Sequence, residues 1–388
     1  MVNLFMDKVC CRKIRQRKIS AGRNRTMRRQ KSECCGCGVC AAVCPYGAIR
    51  MTFDKEGYAY PCIEQKKCTG CGWCREVCPI GNSVSMPEPE HRCFGVQAKS
   101  DNDRIESSSG GVFPVLARKV LSQNGIVFGA MMESDGAVRH FGAQTPEEVE
   151  RLRKTKYVQS EVTGCCRQIF QSVREGRQIL FVGTPCQCSA VRRYVGEAEN
   201  LLLADLVFYG VPSPVKWGKY IKELEKRYQG SFESISFRDK REKDNGHTIA
   251  VRIDGREYTW PIGEDCFCNA YFCNYLLRPS CYMCRFCTME RESDLTMGDF
   301  WGIDKVRPEW DDGMGTSLVI VHSKKGMALW ESVREDFRCF ECRDEDILQP
   351  RLQSPTEHPG WRRDVFFRLC RILTLDTSGR IMRRLVKR

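Results

Sequence analysis

With 388 residues the chain is long enough for two or three domains, each with its own core. Its formal charge of +13 lies in the tails: residues 1–32 carry eleven Lys/Arg against Asp7 and residues 361–388 carry nine against Asp364 and Asp376, so a nucleic-acid partner is not expected. Twenty-six cysteines occur without an apolar run near the ~18 residues of a membrane span, and Met1–Met6 is cut off by Asp7 and Lys8 before it forms a secretion signal; in a reducing cytoplasm such thiols imply metal.

The basic extension 1–32 reads as disordered, with Met27 as a second candidate start. A solvated tail is the ordinary reading of such a run; an anionic membrane surface, an acidic redox partner and RNA are the alternatives. Segment 33–86 follows as a ferredoxin-type domain. Glu33–Pro45 sets Cys34, Cys37, Cys40 and Cys44 at C-x2-C-x2-C-x3-C-P, and Lys67–Pro79 repeats this with Cys68, Cys71, Cys74 and Cys78, offset by 34 positions. Three thiolates at two-residue spacing wrap one face of a cubane, glycines let amides approach its sulfides, and the fourth cysteine crosses to the other cluster. The expected sets are therefore Cys34, Cys37, Cys40 with Cys78, and Cys68, Cys71, Cys74 with Cys44. Structural zinc, the alternative, uses pairs of ligand pairs across a longer spacer. Cys35 falls off register and reads as a bystander. Between the copies, Ile49–Phe53 and Tyr58–Cys62 flank a turn at Asp54–Gly57, a hairpin signal. The fold class that follows is an α+β ferredoxin-like domain with two 4Fe-4S clusters and then a larger mixed α/β module.

Pro87–Glu90 reads as the linker to that module. Its first part, 93–175, holds a candidate helix at Val112–Gln123, a strand at Ile126–Met132 and a helix at Glu147–Lys154. Its second part, 176–345, offers strands at Gln178–Val182, Leu201–Phe208 and Ser317–His322, with helices at Cys186–Tyr194, Pro214–Tyr228 and Lys325–Phe337. The apolar runs at 179–182 and 201–207 lack alternation, as in strands covered on both faces. A β-rich insert follows at Ser234–Phe237, Thr248–Ile253 and Glu257–Pro261, the last two joined at Asp254-Gly255.

Three segments invite chemistry. Ser107–Gly111 precedes a helix, where Ser109, Gly110 and Gly111 either expose amides to a phosphate or simply cap the helix. In Gln178–Gln187, Gly183 turns the chain, Thr184 caps, Pro185 starts the helix, and Cys186 sits in the first turn, where the dipole favours thiolate; a buried structural cysteine is the alternative. Cys281, Cys284 and Cys287 offer three corners of a third cluster, with Cys186, Cys266, Cys268 and Cys273 competing for the fourth; zinc or a redox dithiol also fits. No Ser-His-Asp, Walker, dinucleotide-glycine or H-E-x-x-H signature is present, and no catalytic residue is assigned.

On Ser108–Val112, Thr155–Ser160, Gly183–Gln187, Asp205–Ser213, Ser236–Lys240, Leu277–Tyr282 and Gly298–Gly302, the sequence resembles the family of coenzyme F-420 hydrogenase/dehydrogenase beta subunits in its ferredoxin-fused form. The resemblance implies an FAD-binding iron–sulfur oxidoreductase that relays electrons between clusters and a two-electron acceptor such as a deazaflavin coenzyme. It places Ser109, Gly110, Gly111, Lys156, Tyr157, Gly183, Thr184 and Cys186 around flavin and cluster, with a redox partner protein or a small-molecule acceptor beyond. Cys287 stands where many relatives lack cysteine. A non-catalytic carrier that docks a partner enzyme is the other function class. The basic C-terminal segment 346–388 carries an apolar stripe, Trp361, Phe366, Phe367, Leu369, Ile372 and Leu373, which either packs on the body or lies on an anionic bilayer as a peripheral contact.

Overall fold

The two cysteine runs fold as a matched pair. In the computed structural model, which describes residues 30–81, 91–241 and 247–386, each run enters a one-turn helix, Val39–Ala42 or Trp73–Glu76, through a left-handed glycine, Gly38 at φ 75° and Gly72 at φ 85°. Only a residue without a Cβ adopts that turn freely, which is why both copies need glycine there. Strands β1 (Ile49–Phe53) and β2 (Ala59–Ile63) form the antiparallel hairpin between them. The expectations for residues 1–29 and for the Pro87–Glu90 linker lie outside the described residues.

The larger module is built on one eight-stranded sheet and one three-stranded sheet. Its strands are β3 (Arg92–Ala98), β4 (Ile126–Met132), β5 (Val138–Ala143), β6 (Ile179–Gly183), β7 (Leu201–Leu206), β8 (Phe232–Asp239), β9 (Thr248–Ile253), β10 (Arg256–Pro261), β11 (Leu295–Asp299), β12 (Ser317–Val321) and β13 (Phe337–Cys342). The large sheet runs β13-β3-β12-β11-β7-β6-β4-β5, parallel from β4 to β11 and antiparallel at both flanks. Every residue of β6 is buried, as its unbroken apolar run predicted. The segments 93–175 and 176–345 share this sheet, because β3 sits between β12 and β13.

The small sheet, β10-β9-β8, turns at Asp254 and Gly255, both at positive φ, as the sequence suggested. It shares an aromatic core of Trp217, Phe237 and Phe267 with the helices Pro214–Tyr228 and Cys266–Phe272. The C-terminal helices Trp361–Ile372 and Leu375–Val386 close that core with Phe366, Phe367, Cys370, Leu375 and Met382. The apolar stripe thus packs on the body, leaving Trp361 and Ile372 outside. The helix expected over Glu147–Lys154 is shorter, Pro146–Glu150, and the chain turns at Lys154 in the left-handed region (φ 62°).

The ferredoxin part is sewn into the module. Val39, Val43 and Val77 share a core with Cys165, Ile169 and Phe181. Tyr58 Oη donates to the Leu276 carbonyl, and the buried Arg363 grips the Glu56 carboxylate at 2.7 and 3.0 Å.

Candidate redox site

The first expected ligand set converges. Cys34, Cys40 and Cys78 are buried, and the Cys40 thiol feels the neighbouring Cys34, Cys78 and Cys74 sulfurs. Burial first, then those neighbours, hold the Cys40 thiol well above its ordinary range. Several thiolates can coexist there only if cations arrive with them, which is the donor chemistry of an iron–sulfur cluster. The second set, Cys44, Cys68, Cys71 and Cys74, lines a separate pocket with Ile49, Ile63 and Trp73. All described cysteines are free thiols.

A third group of thiols lies where the ferredoxin part meets the module. Cys35, Cys186, Cys281, Cys284 and Cys287 line one cavity of about 120 Å³. Cys186 arrives as its sequence implied: Thr184 and Gln187 form a reciprocal capping box at the start of the helix Pro185–Val195, with Pro185 at its first position. The expected depression of Cys186 does not occur. A hydrogen bond with Cys35 and burial hold its thiol high, and Cys35, the acceptor of that bond, is the thiol pushed low. Hydrogen bonding from Cys287 likewise brings Cys284 down to about 7. Cys35, which its spacing marks as a bystander, thus lines the same cavity as Cys186. Cys266 and Cys268 lie in the aromatic core and Cys273 is exposed, so none of the three lines this cavity.

Arg278, fully buried, binds the two thiol groups together. Its Nε donates to the Cys34 carbonyl at 2.7 Å, Nη1 to Gln159 Oε1 at 2.9 Å and Nη2 to the Ala59 carbonyl at 2.8 Å, while its guanidinium lies 4.3 Å from the Tyr60 ring centroid. Gln159 Nε2 in turn donates to the Cys35 carbonyl at 3.0 Å.

The segments expected to meet a flavin adjoin this knot. Ser108 Oγ accepts from the Thr155 amide at 2.8 Å, tying the Ser-Gly-Gly turn to Lys156 and Tyr157. Gln187 Nε2 reaches Ser160 Oγ at 3.0 Å, tying the Gly183-Thr184 turn to the same stretch. Tyr157 stacks among Phe237, Tyr271 and Phe272. Gly111 caps the helix Val112–Ser122 in the left-handed region without any side-chain cap, so the serines do not cap it. The Gly110 amide, however, is already bonded to Ser317 Oγ at 2.8 Å, which leaves fewer amides for a phosphate.

Sequence reasoning missed two groups. Buried Lys240 donates to the carbonyls of Ser109 (2.5 Å), Met314 (2.6 Å) and Arg104 (3.2 Å). His140 stacks on Phe181 and binds the Val182 carbonyl through Nε2 at 3.0 Å, while its buried Nδ1 has no hydrogen-bond partner; Lys156 lies near enough to disfavour its protonation. A buried nitrogen left open beside Lys156 and the Gly183 turn suits a polar cofactor edge.

Residues 176–345 match the family model for the C terminus of the beta subunit of coenzyme F420 hydrogenase/dehydrogenase, and residues 33–82 match a 4Fe-4S dicluster domain. Among curated proteins, an F(420)H(2) dehydrogenase subunit of Methanosarcina mazei is 24% identical over 331 residues, covering 80% of this chain and 85% of its own length. A chain of the F420-reducing NiFe hydrogenase complex from Methanosarcina barkeri superimposes with a TM-score of 0.45 at 16% identity, covering 79% of this chain and 94% of that one. The chain thus carries a 4Fe-4S dicluster domain ahead of a region that matches the C terminus of coenzyme F420 hydrogenase/dehydrogenase beta subunits.

Proposed function

We propose that this chain is a cytoplasmic iron–sulfur flavoprotein oxidoreductase, or the electron-transfer subunit of one, passing electrons between 4Fe-4S clusters, FAD and a two-electron acceptor such as a deazaflavin coenzyme. The carrying observation is adjacency: Gln159 bonds the Cys35 carbonyl, and Thr155 and Ser160 of the same stretch are bonded to Ser108 and Gln187 of the candidate flavin segments. Bound FAD would exchange electrons singly with clusters and in pairs with an organic acceptor. The eight ferredoxin cysteines hold two clusters, and Cys186, Cys281 and Cys284 contribute to a third. Lys156 donates to the carbonyls of Leu152 and Arg153 at 2.9 and 2.5 Å, so its side chain is fixed beside the site. His140 is neutral at pH 7, since burial drops it to about 4, and it offers an acceptor nitrogen. A redox partner protein is the expected donor or recipient, in keeping with the relative that is named as part of a dehydrogenase.

The second reading, a carrier that docks a partner and performs no chemistry, draws on the Gly110 amide already engaged by Ser317. Anaerobic purification with flavin analysis, then an acceptor screen with a chemical reductant, separates the two. Stoichiometric FAD and turnover with a two-electron acceptor support the first reading; iron without flavin under gentle conditions eliminates it. No helix among the described residues is long and apolar enough to cross a membrane.

A further inference from the structure

The cavity at the domain junction holds one thiol more than a cubane needs, and the five are not equivalent. Cys35 is hydrogen-bonded to Cys186 and to Cys37 and is near both Cys281 and Cys284; Cys284 is also near Cys281 and Cys186. Cys287 is coupled only to Cys284 among the thiols and otherwise faces Arg291 and Arg351. We infer that Cys35 is the fourth ligand of a third 4Fe-4S cluster whose other ligands are Cys186, Cys281 and Cys284, and that Cys287 stays outside it. This rests on the reading of the chain as an iron–sulfur flavoprotein.

Two features favour a cluster over a single ion. A tetrahedral zinc at about 2.3 Å from each sulfur draws its thiolates to within roughly 4 Å of one another. Among the described residues, the group of three or more His, Cys, Asp or Glu donors lying within 4.8 Å of one another is His91, Cys93 and Asp344, with none of the cavity cysteines in it. The cavity these thiols line is the second feature, its volume of about 120 Å³ being far more than one ion fills.

The repeat itself explains why one copy supplies the extra ligand. Thirty-four positions on, Cys35 is replaced by Thr69, which is exposed to solvent, whereas Cys35 faces the module. The peptide linking Cys34 and Cys35 is clamped from both sides: Arg278 holds the Cys34 carbonyl and Gln159 the Cys35 carbonyl. Cys34 lies near Cys78 and Cys40, whereas Cys35, besides its contact with Cys37, reaches across to Cys186. Consecutive residues would then ligate two different clusters, leaving a single peptide unit as the covalent bridge between the ferredoxin pair and the module. The Arg278 guanidinium, lying beside both Cys34 and Cys35, would offset charge on the two centres.

The test compares full-length wild type, Cys35→Ala, Cys281→Ala and Cys287→Ala, purified and reconstituted anaerobically, by iron content and electron paramagnetic resonance after reduction. The expected iron is about twelve per chain in wild type and Cys287→Ala, counting four per cubane, and about eight in Cys35→Ala and Cys281→Ala, with the same spectral component missing from both. Twelve irons in Cys35→Ala, or eight in Cys287→Ala with Cys35→Ala unaffected, overturns the assignment. Eight irons in wild type removes the third cluster and leaves the flavoprotein reading standing; no iron in wild type removes both. Native alkylation of the wild-type holoprotein needs no variant: Cys287 should label and Cys35 should not, and the reverse pattern contradicts the inference.

Discussion

Arg278 Nε donates to the carbonyl oxygen of Cys34 at 2.7 Å, so a guanidinium from the larger module is the direct neighbour of a proposed ligand in the cysteine repeat. Nη2 crosses the same junction to the Ala59 carbonyl, while Nη1 holds Gln159 within the module. A fully buried cation 4.0 Å from the Cys34 sulfur favours the more negative, reduced form of whatever that sulfur binds.

Replacing Arg278 by Met should therefore lower the reduction potential of the first cluster and cost about 1–3 kcal/mol of stability, because the buried Cys34 carbonyl and two part-buried acceptors lose their donor. Arg278→Lys should keep most of the potential and lose most of the hydrogen bonding. Anaerobic redox titration and denaturant unfolding separate the two effects; an unchanged potential in Arg278→Met contradicts the electrostatic role.

Each ferredoxin ligand set should fail separately. Cys40→Ala should remove about four irons and one spectral component, and Cys71→Ala about four irons and a different one. Loss of the same component from both variants contradicts the assignment of Cys40 and Cys71 to separate clusters; the crossing itself requires Cys78→Ala to lose the Cys40 component.

Two buried histidines set an acid limit. Burial lowers His140 to about 4 and His322 to about 3, against an ordinary value of 6.5. The unfolded chain thus takes up protons between pH 6.5 and about 4 that the folded chain does not, so stability falls as pH falls through that window. At pH 5 each histidine should cost about 2 kcal/mol relative to pH 7.5. His322 Nε2 lies 2.8 Å from Thr296 Oγ1, which donates to Asp205, and a Gln side chain can keep the bond to Thr296. His322→Gln should recover about 2 kcal/mol of the acid loss in unfolding measured at both pH values; identical pH slopes argue against it.

The C-terminal helices should act as a structural clamp. Phe366 is fully buried against Tyr275, so Phe366→Ala should destabilise by about 3–5 kcal/mol. Ile372, 87% exposed, should tolerate Asp within about 0.5 kcal/mol. Flotation with phosphatidylserine vesicles checks the alternative: binding by wild type that Ile372→Asp abolishes points to a membrane face.

What the sequence disclosed was local. The repeat offset by 34, the capping turn before Cys186 and the unbroken apolar runs of β6 and β7 each need only a few neighbouring residues to be recognised. Strands β3, β5, β11 and β13 were not recognised. β11 carries Thr296 and Asp299 and is bordered by Asp294, polar residues acceptable in a central strand because distant partners such as Asp205 and Ser323 satisfy them. Cys35 read as off register because the cysteine spacing describes one repeat, whereas its partners lie some 150 and 250 residues further along the chain. Arg278, Lys240 and His140 escaped for the same reason, each being held by atoms far away in sequence.

The most direct check is oxygen-free purification of the full chain, with iron, zinc, sulfide and flavin quantified and the reduced protein examined by electron paramagnetic resonance. The expected result is at least about eight irons per chain, matching sulfide, cubane signals and bound FAD. Zinc in place of iron, or iron-free protein with folded thiols, contradicts electron transfer as the work of this chain.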